Sequence, residues 1–396
     1  MVLGVGELQK IHVKRTKRLL AGHLWIFSNE IVESPGGYEA GSLVGVYDMK
    51  DNFLGAGYIN PKSLIAVRLL ARESGKVDRE FFARRITAAI DMRRRLSGAS
   101  DAGRLVFSEG DYLPGLIADR YGNCLVLQFL TAGMERFKDE IISIFDEILS
   151  AELIILRNDS RSRVLEGLPL YKEIAKGLPV PLPVVSEDGV IFEVDAYEGQ
   201  KTGLFLDQRE NRAAFARLIK EGKGLDLFCY TGAWSLRLAA AGAEVTGVDE
   251  SDRAVKQAER NAELNGLRDR TSFVREDVFS FLKNELANGE GRYDFIVLDP
   301  PAFVKSSSKI KEAVKAYRRL NELCMRLLRP GGLLATSSCS YHLGREMFLD
   351  MLRAAGREAG RSLRMLALRS QAADHPVLLP MPETEYLKCA FLVVDR

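Results

Sequence analysis

The chain has 396 residues, 46% hydrophobic and 28% charged, with a net charge of +2. That length predicts two or three folded domains, and so balanced a charge does not by itself announce a nucleic-acid binder. The five cysteines (Cys124, Cys229, Cys324, Cys339 and Cys389) are scattered with no C-x-x-C pair, which argues for a reducing compartment and against a zinc site or disulfide scaffold. The opening "MVLGVGELQKIHVKRTKRLL" carries too much charge for a signal peptide. No apolar run reaches the roughly 18 residues of a membrane span. A soluble, cytoplasmic protein is expected.

Residues 1–73 are rich in Gly and short apolar runs, with "KDN" and "NPK" as turns. This spacing predicts a small β-barrel-like module. Lys10, Lys14, Arg15, Lys17 and Arg18 form a run without acids, either a solvated edge or a phosphate-contacting face in which Lys14 and Arg15 would meet substrate. Residues 74–185 predict a central α/β domain. Its helix at 78–96 has Phe82, Ile86 and Ile90 at helical spacing, Asp78 as N-cap, and Arg93, Arg94 and Arg95 in the last turn, where they either suit the helix dipole or form a basic surface that touches RNA. Two strands are expected around the loop "YLPGLIADRYGN", then a helix near 135–149 and a strand in "AELIILRND". The Pro-rich "GLPVPLPVV" marks a boundary.

Within the third domain, residues 186–396, strand and helix patterns alternate from Leu225. Strands are expected near 224–229, 244–248, 271–275, 293–298 and 332–338, with helices between and after them and two final strands. Repeated βα units predict a parallel, doubly wound Rossmann-like sheet, with ligands at the carboxyl ends of the strands. Acids recur there. Asp226 lies in the first strand, Asp249 ends the second, Asp277 follows the third, and Asp299 ends the fourth. Each alone could be an N-cap or turn residue; together they line one crevice. An acid after the second strand suits a ribose diol. The first turn, "DLFCYTGAWSL", holds Phe228, Tyr230 and Gly232 but no G-x-G-x-x-G to receive a pyrophosphate. Asp226 would repel a pyrophosphate and welcome a charged amino acid. Asp277 can accept from an adenine amino group. The set predicts S-adenosylmethionine rather than a dinucleotide.

The fourth strand runs into Asp299-Pro300-Pro301, and prolines cannot continue a sheet. They stiffen a turn on the cofactor rim and fix Asp299, and Phe303 offers either a stacking face for a base or a core ring under the loop. The fifth strand ends in "TSSCSYHL", placing Cys339 on the neighbouring rim as a candidate nucleophile. Cys229 and Cys324 are expected to be packing residues. A thiol is needed where C5 of cytosine is the target, because a thiolate adding to C6 makes C5 enamine-like. Asp299 near N3 could stabilise that adduct.

The ordered motifs "GHLWIFSNEI", "GAGYINPKSLIAVRLL", "LPGLIADRYG", "GQKTGLFLDQRENR", "LDLFCYTGAWSL", "LDPPAF" and "SSCSYHL" resemble the PUA-domain-containing bacterial 23S ribosomal RNA cytosine-5 methyltransferases over nearly the whole chain. The resemblance implies an N-terminal PUA domain, a central α/β domain, a C-terminal methyltransferase domain, S-adenosylmethionine as methyl donor and Cys339 as attacking thiol. It places Gln208 and Arg209 near the cofactor and substrate approach, and it implies 23S ribosomal RNA as partner and a homodimer. Two positions depart from the pattern. Tyr341 stands where the family has a second histidine, and Ala302 stands where many RNA cytosine-5 methyltransferases carry a cysteine after Asp-Pro-Pro. The alternatives are an amino-group methyltransferase on RNA or protein, and a non-catalytic RNA-binding assembly factor.

Overall fold

The computed structural model describes residues 8–97, 101–303 and 310–396. The first seven residues of the opening stretch, and the segment 304–309 after Phe303, lie outside the described residues. The chain forms two compact units. One comprises Met1–Val185, Val194–Gly203 and Ala373–Thr384, and the other Ser186–Glu193, Leu204–Ala372 and Glu385–Arg396.

The first unit holds two five-stranded sheets. Strands β1 (Gln9–His12), β2 (Trp25–Ile26), β3 (Leu43–Tyr47), β4 (Phe53–Ile59) and β5 (Val67–Ala71) pair in the order β1-β3-β4-β5-β2. The expected turns are present. Asp48 Oδ1 accepts from the amides of Lys50 and Asn52 and closes the first of them. Ile11, Val13, Val44, Val46, Ile59, Val67 and Leu69 fill the interior. The second sheet comprises β6 (Ala102–Phe107), β7 (Leu116–Tyr121), β8 (Cys124–Phe129), β9 (Leu153–Asn158) and β10 (Tyr171–Lys176), in the order β10-β9-β8-β7-β6.

Three strands therefore stand where the sequence suggested two. The stretch "LIADRY" is itself β7, because glycines at both its ends, Gly115 (φ 85°) and Gly122 (φ 58°), turn the chain in and out of a buried strand. The helix Arg79–Ser97 begins as expected, with Asp78 Oδ1 accepting from the amide of Phe81, and buries Phe82, Ile86 and Ile90. Its last-turn arginines are not one exposed patch. Arg93 is buried, donates to both oxygens of Asp111 and also reaches the carbonyl of Asp374, whereas Arg94 is exposed and pairs with Asp91. A buried arginine needs such partners to offset its desolvation.

The hairpin of β11 (Val184–Glu187) and β12 (Val190–Glu193) precedes the sheet of the second unit. That sheet contains β13 (Lys223–Leu227), β14 (Glu244–Asp249), β15 (Thr271–Arg275), β16 (Tyr293–Leu298), β17 (Leu328–Ser338), β18 (Ser362–Arg369) and β19 (Lys388–Asp395). Its order is β15-β14-β13-β16-β17-β19-β18. The first five strands are parallel, as the βα repeats require. The last two depart from a uniformly parallel sheet. β18 is laid down one position beyond β17, and β19 returns into the gap antiparallel to both neighbours without a crossover helix.

The helices Ala233–Ala240, Asp252–Leu264, Val278–Ala287, Ile310–Leu327 and Arg345–Glu358 cover this sheet. Leu225, Leu227, Ile296, Leu298, Leu320 and Leu352 are among the residues of its main core. The carboxyl ends of β13, β14, β16 and β17 consequently share one edge. Among the described residues no helix is long and apolar enough to cross a membrane.

Candidate active site

Asp226 sits inside β13 and is fully buried. Its Oδ2 accepts from the amide (2.9 Å) and hydroxyl (2.6 Å) of Ser235, tying the strand to the first turn of the next helix. Its Oδ1 is buried without a hydrogen-bond partner among the described residues, as is Thr231 Oγ1 nearby in sequence. Burial pushes the Asp226 carboxyl up to about 7. The Ser235 bonds oppose that shift, while the fields of Asp299 and Asp249 add to it. A buried acid with an unused oxygen is a site prepared for a cation.

The chain leaves β13 through a tight turn. Phe228 (φ 65°), Tyr230 (φ 48°) and Gly232 (φ 82°) all take left-handed conformations. For the two aromatics this costs of order 1–3 kcal/mol each, the kind of strain that persists where surrounding contacts over-determine it. Here the Tyr230 amide donates to Asp249 Oδ2 (3.0 Å), and the amides of Phe228 and Cys229 both donate to the Val248 carbonyl. Gly232 starts the helix at a point where a Cβ would come within 3.1 Å of Ala258 and 3.2 Å of Phe273. Asp249 ends β14, and its Oδ1 accepts from the Ser251 amide (2.9 Å). Asp277 is exposed, and its Oδ1 caps the helix Val278–Ala287 through the amide and hydroxyl of Ser280.

Asp299 follows β16, and its amide donates to the Leu227 carbonyl of β13. Its Oδ1 accepts from Gln208 Nε2 (2.9 Å) and its Oδ2 from Trp234 Nε1 (3.2 Å). Gln208, buried in the turn before the helix Arg209–Ala216, also donates to Ser337 Oγ (3.0 Å) and accepts from Asn211 Nδ2 (2.7 Å). It therefore cross-ties the ends of β16 and β17. Arg209 is buried beside it in sequence. Pro300 is buried and Pro301 exposed, and the Pro301 carbonyl accepts from the Tyr317 hydroxyl. Phe303 packs at 4.8 Å from the Tyr317 ring and 6.4 Å from that of Phe228, against the main core.

Cys339 comes directly after β17 and is half-buried; the other four cysteines are buried, and burial pushes their thiols up. The structure thus gathers Asp226, Phe228, Tyr230, Gly232, Asp249, Asp299 and Cys339 at strand ends of one sheet edge. Lys14 and Arg15 belong to the first unit and are exposed. Sequence reasoning missed Trp234 and Ser235, which hold the two carboxylates, and Lys388. Lys388 begins β19 opposite Ser338 and is buried. A single lysine before the apolar run "CAFLVV" was its only signal.

Residues 170–381 match the family model of the S-adenosylmethionine-dependent methyltransferases, and residues 10–72 that of a PUA-like domain. The chain belongs to the S-adenosylmethionine-dependent methyltransferase family. It is 37% identical, over 96% of its length and 97% of the relative's, to a ribosomal RNA large subunit methyltransferase I from Pseudoalteromonas atlantica. It is 38% identical to the protein of the same name from Klebsiella pneumoniae, over 94% of this chain and 95% of that one. Among solved structures, a candidate SAM-dependent methyltransferase from Streptococcus mutans shares the fold. Its TM-score is 0.83 at 23% identity, covering 98% of this chain and all of the other. A second, a candidate methyltransferase complexed with SAH, has a TM-score of 0.84 at 23% identity, covering 97% and 99%.

The cofactor is S-adenosylmethionine, and the site suits it. The partnerless buried oxygen of Asp226 and the acids Asp249 and Asp299 around it make a negative field for a ligand carrying an ammonium and a sulfonium.

Gln208→Ala removes both amide bonds that tie Asp299 to Ser337. It should destabilise the protein by about 1–3 kcal/mol, the cost of leaving buried polar groups unpaired. Urea unfolding of the purified variant checks this; an unchanged midpoint would deny the tie any structural weight.

Proposed function

We propose that this methyltransferase modifies C5 of a cytosine in large-subunit ribosomal RNA, through a covalent adduct between Cys339 and C6 of the ring. The ribosomal substrate follows the names of the full-length relatives. The carbon target rests on one observation. Cys339 is the one cysteine of five that is not buried, and it leaves the sheet on the strand next to Asp299.

When bound, S-adenosylmethionine supplies an electrophilic methyl group. In this reading Asp226 Oδ1 holds the amino-acid ammonium, Asp249 the ribose diol and Asp277 Oδ2 the adenine amine. Phe228, Tyr230 and Gly232 shape the turn against which the cofactor lies. Arg209 lies on the approach to the site, and Gln208 acts through Asp299. The Cys339 thiolate adds to C6, and electron density moves toward N3. Asp299, after taking up a proton from solvent, hydrogen-bonds to N3 and stabilises the adduct there, and it releases that proton when the thiolate leaves. C5 is then nucleophilic enough to be alkylated. Loss of the C5 proton to a base and expulsion of the thiolate return an aromatic, methylated ring. With Ala302 after Asp-Pro-Pro, no second thiol is available at that position to assist release. Lys14 and Arg15 offer phosphate contacts that offset the few kcal/mol needed to flip a base from its stack. Phe303 packs inward against Tyr317 and Phe228, which supports the carbon reading over an amino-group alternative that would use a stacking aromatic.

Cys339→Ala should lower methyl transfer to unmodified ribosomal RNA by roughly 10³-fold or more, as loss of a nucleophile does, and leave cofactor affinity within about twofold. Tritium incorporation with mass-spectrometric mapping of the modified nucleoside reads both the loss and the position. Turnover retained by the variant, or methylation of an exocyclic amine, would overturn the carbon assignment.

The raised Asp226 carboxyl gives cofactor binding a pH dependence. Pairing with the ligand ammonium requires the ionised acid, so below about 7 binding must expel a proton. Affinity should therefore weaken as pH falls from 7.5 to 5.5, approaching about tenfold per unit. Calorimetry should show this in the native protein and a flatter profile in Asp226→Asn. A flat native profile would remove Asp226 from the ammonium site.

A further inference from the structure

Lys388 is buried, and among the described residues its amine makes no ion pair with a carboxylate. It pairs across the sheet with Ser338, and its Nζ donates to the carbonyls of Ser340 (2.7 Å) and Tyr386 (2.9 Å). The residue is 8% exposed. Those two carbonyls orient the amine but do not neutralise it. Lysines buried in this way are costly unless an anion compensates them. The residue between Ser338 and Ser340 is Cys339. The lysine thus faces the residue before the thiol and bonds the carbonyl of the residue after it. Lys388 and the Cys339 sulfur interact electrostatically. Burial pushes the amine down to about 8, and the sulfur and Glu385 pull it back up.

We propose that Lys388 is a positioning residue that places an ammonium, hydrogen-bonded to neutral carbonyls, beside Cys339 and so holds the sulfur in its anionic, attacking form. The inference rests on the reading of Cys339 as nucleophile. The lysine keeps its proton throughout. The thiol proton goes to solvent, the thiolate adds to C6, and the same ammonium stabilises the thiolate again when it is expelled. Other charged or titratable groups act on this corner. Tyr317, from the helix Ile310–Leu327, interacts with Cys339. Glu385 and Tyr386 precede β19, and His342 follows Cys339. Asp299 from β16 and Arg369 from β18 act on the adjacent Cys389. Glu385 and Asp299 oppose thiolate formation, so the lysine must outweigh them.

Alkylation of the folded protein with iodoacetamide between pH 5.5 and 10, read by peptide mass spectrometry, reports on Cys339 selectively because the other four thiols are buried. The midpoint for the native protein should lie below the ordinary thiol value of about 8.5. Lys388→Met should raise it by about one unit or more. At pH 7 its alkylation should slow by about threefold, the gain in intrinsic nucleophilicity offsetting part of the lost thiolate. Lys388→Arg, which keeps the charge, should restore the native profile. A native midpoint at or above about 8.5 overturns the proposal even if Lys388→Met does not fold. So does a Lys388→Met profile that matches the native one. Methyl transfer by Cys339→Ala is a separate readout. Its survival would sink the nucleophile reading while leaving the alkylation profile to decide what Lys388 does to the thiol.

Discussion

The parallel register of β16 with β17 pairs Leu298 with Thr336, and the chemistry of the site depends on it. With that register the first residue past β16, Asp299, and the first past β17, Cys339, leave the sheet on one edge. Gln208 locks the arrangement by bonding Asp299 and Ser337 at once. A slip of one residue would send every side chain of one strand to the other face of the sheet, and the tie from Gln208 to Asp299 and Ser337 would be lost. The apolar cores on both faces hold the register, with Ile296, Leu298 and Leu334 buried on one side and Phe295, Val297 and Ala335 on the other.

Around that edge the protein keeps two buried ionisable groups of opposite sign that make no ion pair among the described residues. Among the described residues Asp226 keeps one carboxylate oxygen without a hydrogen-bond partner, and the Lys388 amine hydrogen-bonds to two neutral carbonyls while Glu385 acts on it only electrostatically. Each costs stability in the free protein, and in the proposed reaction each would complement a charge, a ligand cation for the first and a thiolate for the second. The strained turn at Phe228 and Tyr230 belongs with them, since it aims the backbone between β13 and Asp249. Such local violations of good folding practice cluster where function needs them.

Most of the second unit was legible in the sequence because its signals are local. Strand runs such as "YDFIVL" and helices such as Asp252–Leu264 sit close to where periodicity puts them, and Asp277 caps a helix as an acid at that position can. What escaped were features decided by distant partners. "LIADRY" looked like a loop because Pro114, Gly115 and Gly122 flank it, yet burial makes it β7. Arg93 looked like part of a basic surface until Asp111 and Asp374 closed around it. Gln208 came from family resemblance as a neighbour of the cofactor, while its side chain bonds Asp299, Ser337 and Asn211. Lys388 lies far along the chain from Cys339, and only the antiparallel return of β19 brings it alongside. A strand that inserts between two earlier ones leaves no trace in local spacing.

The central claim is that the Cys339 sulfur bonds covalently to a pyrimidine ring during turnover. Ribosomal RNA carrying 5-fluorocytidine tests it most directly, since after methylation a fluorine at C5 cannot be removed as a proton and the thioether to C6 persists. With S-adenosylmethionine present, the native protein should form an RNA–protein species stable on a denaturing gel, with the crosslinked peptide containing Cys339. Full turnover of cytidine RNA without any trapped species on the fluorinated RNA, or a crosslink at another residue, would contradict the account.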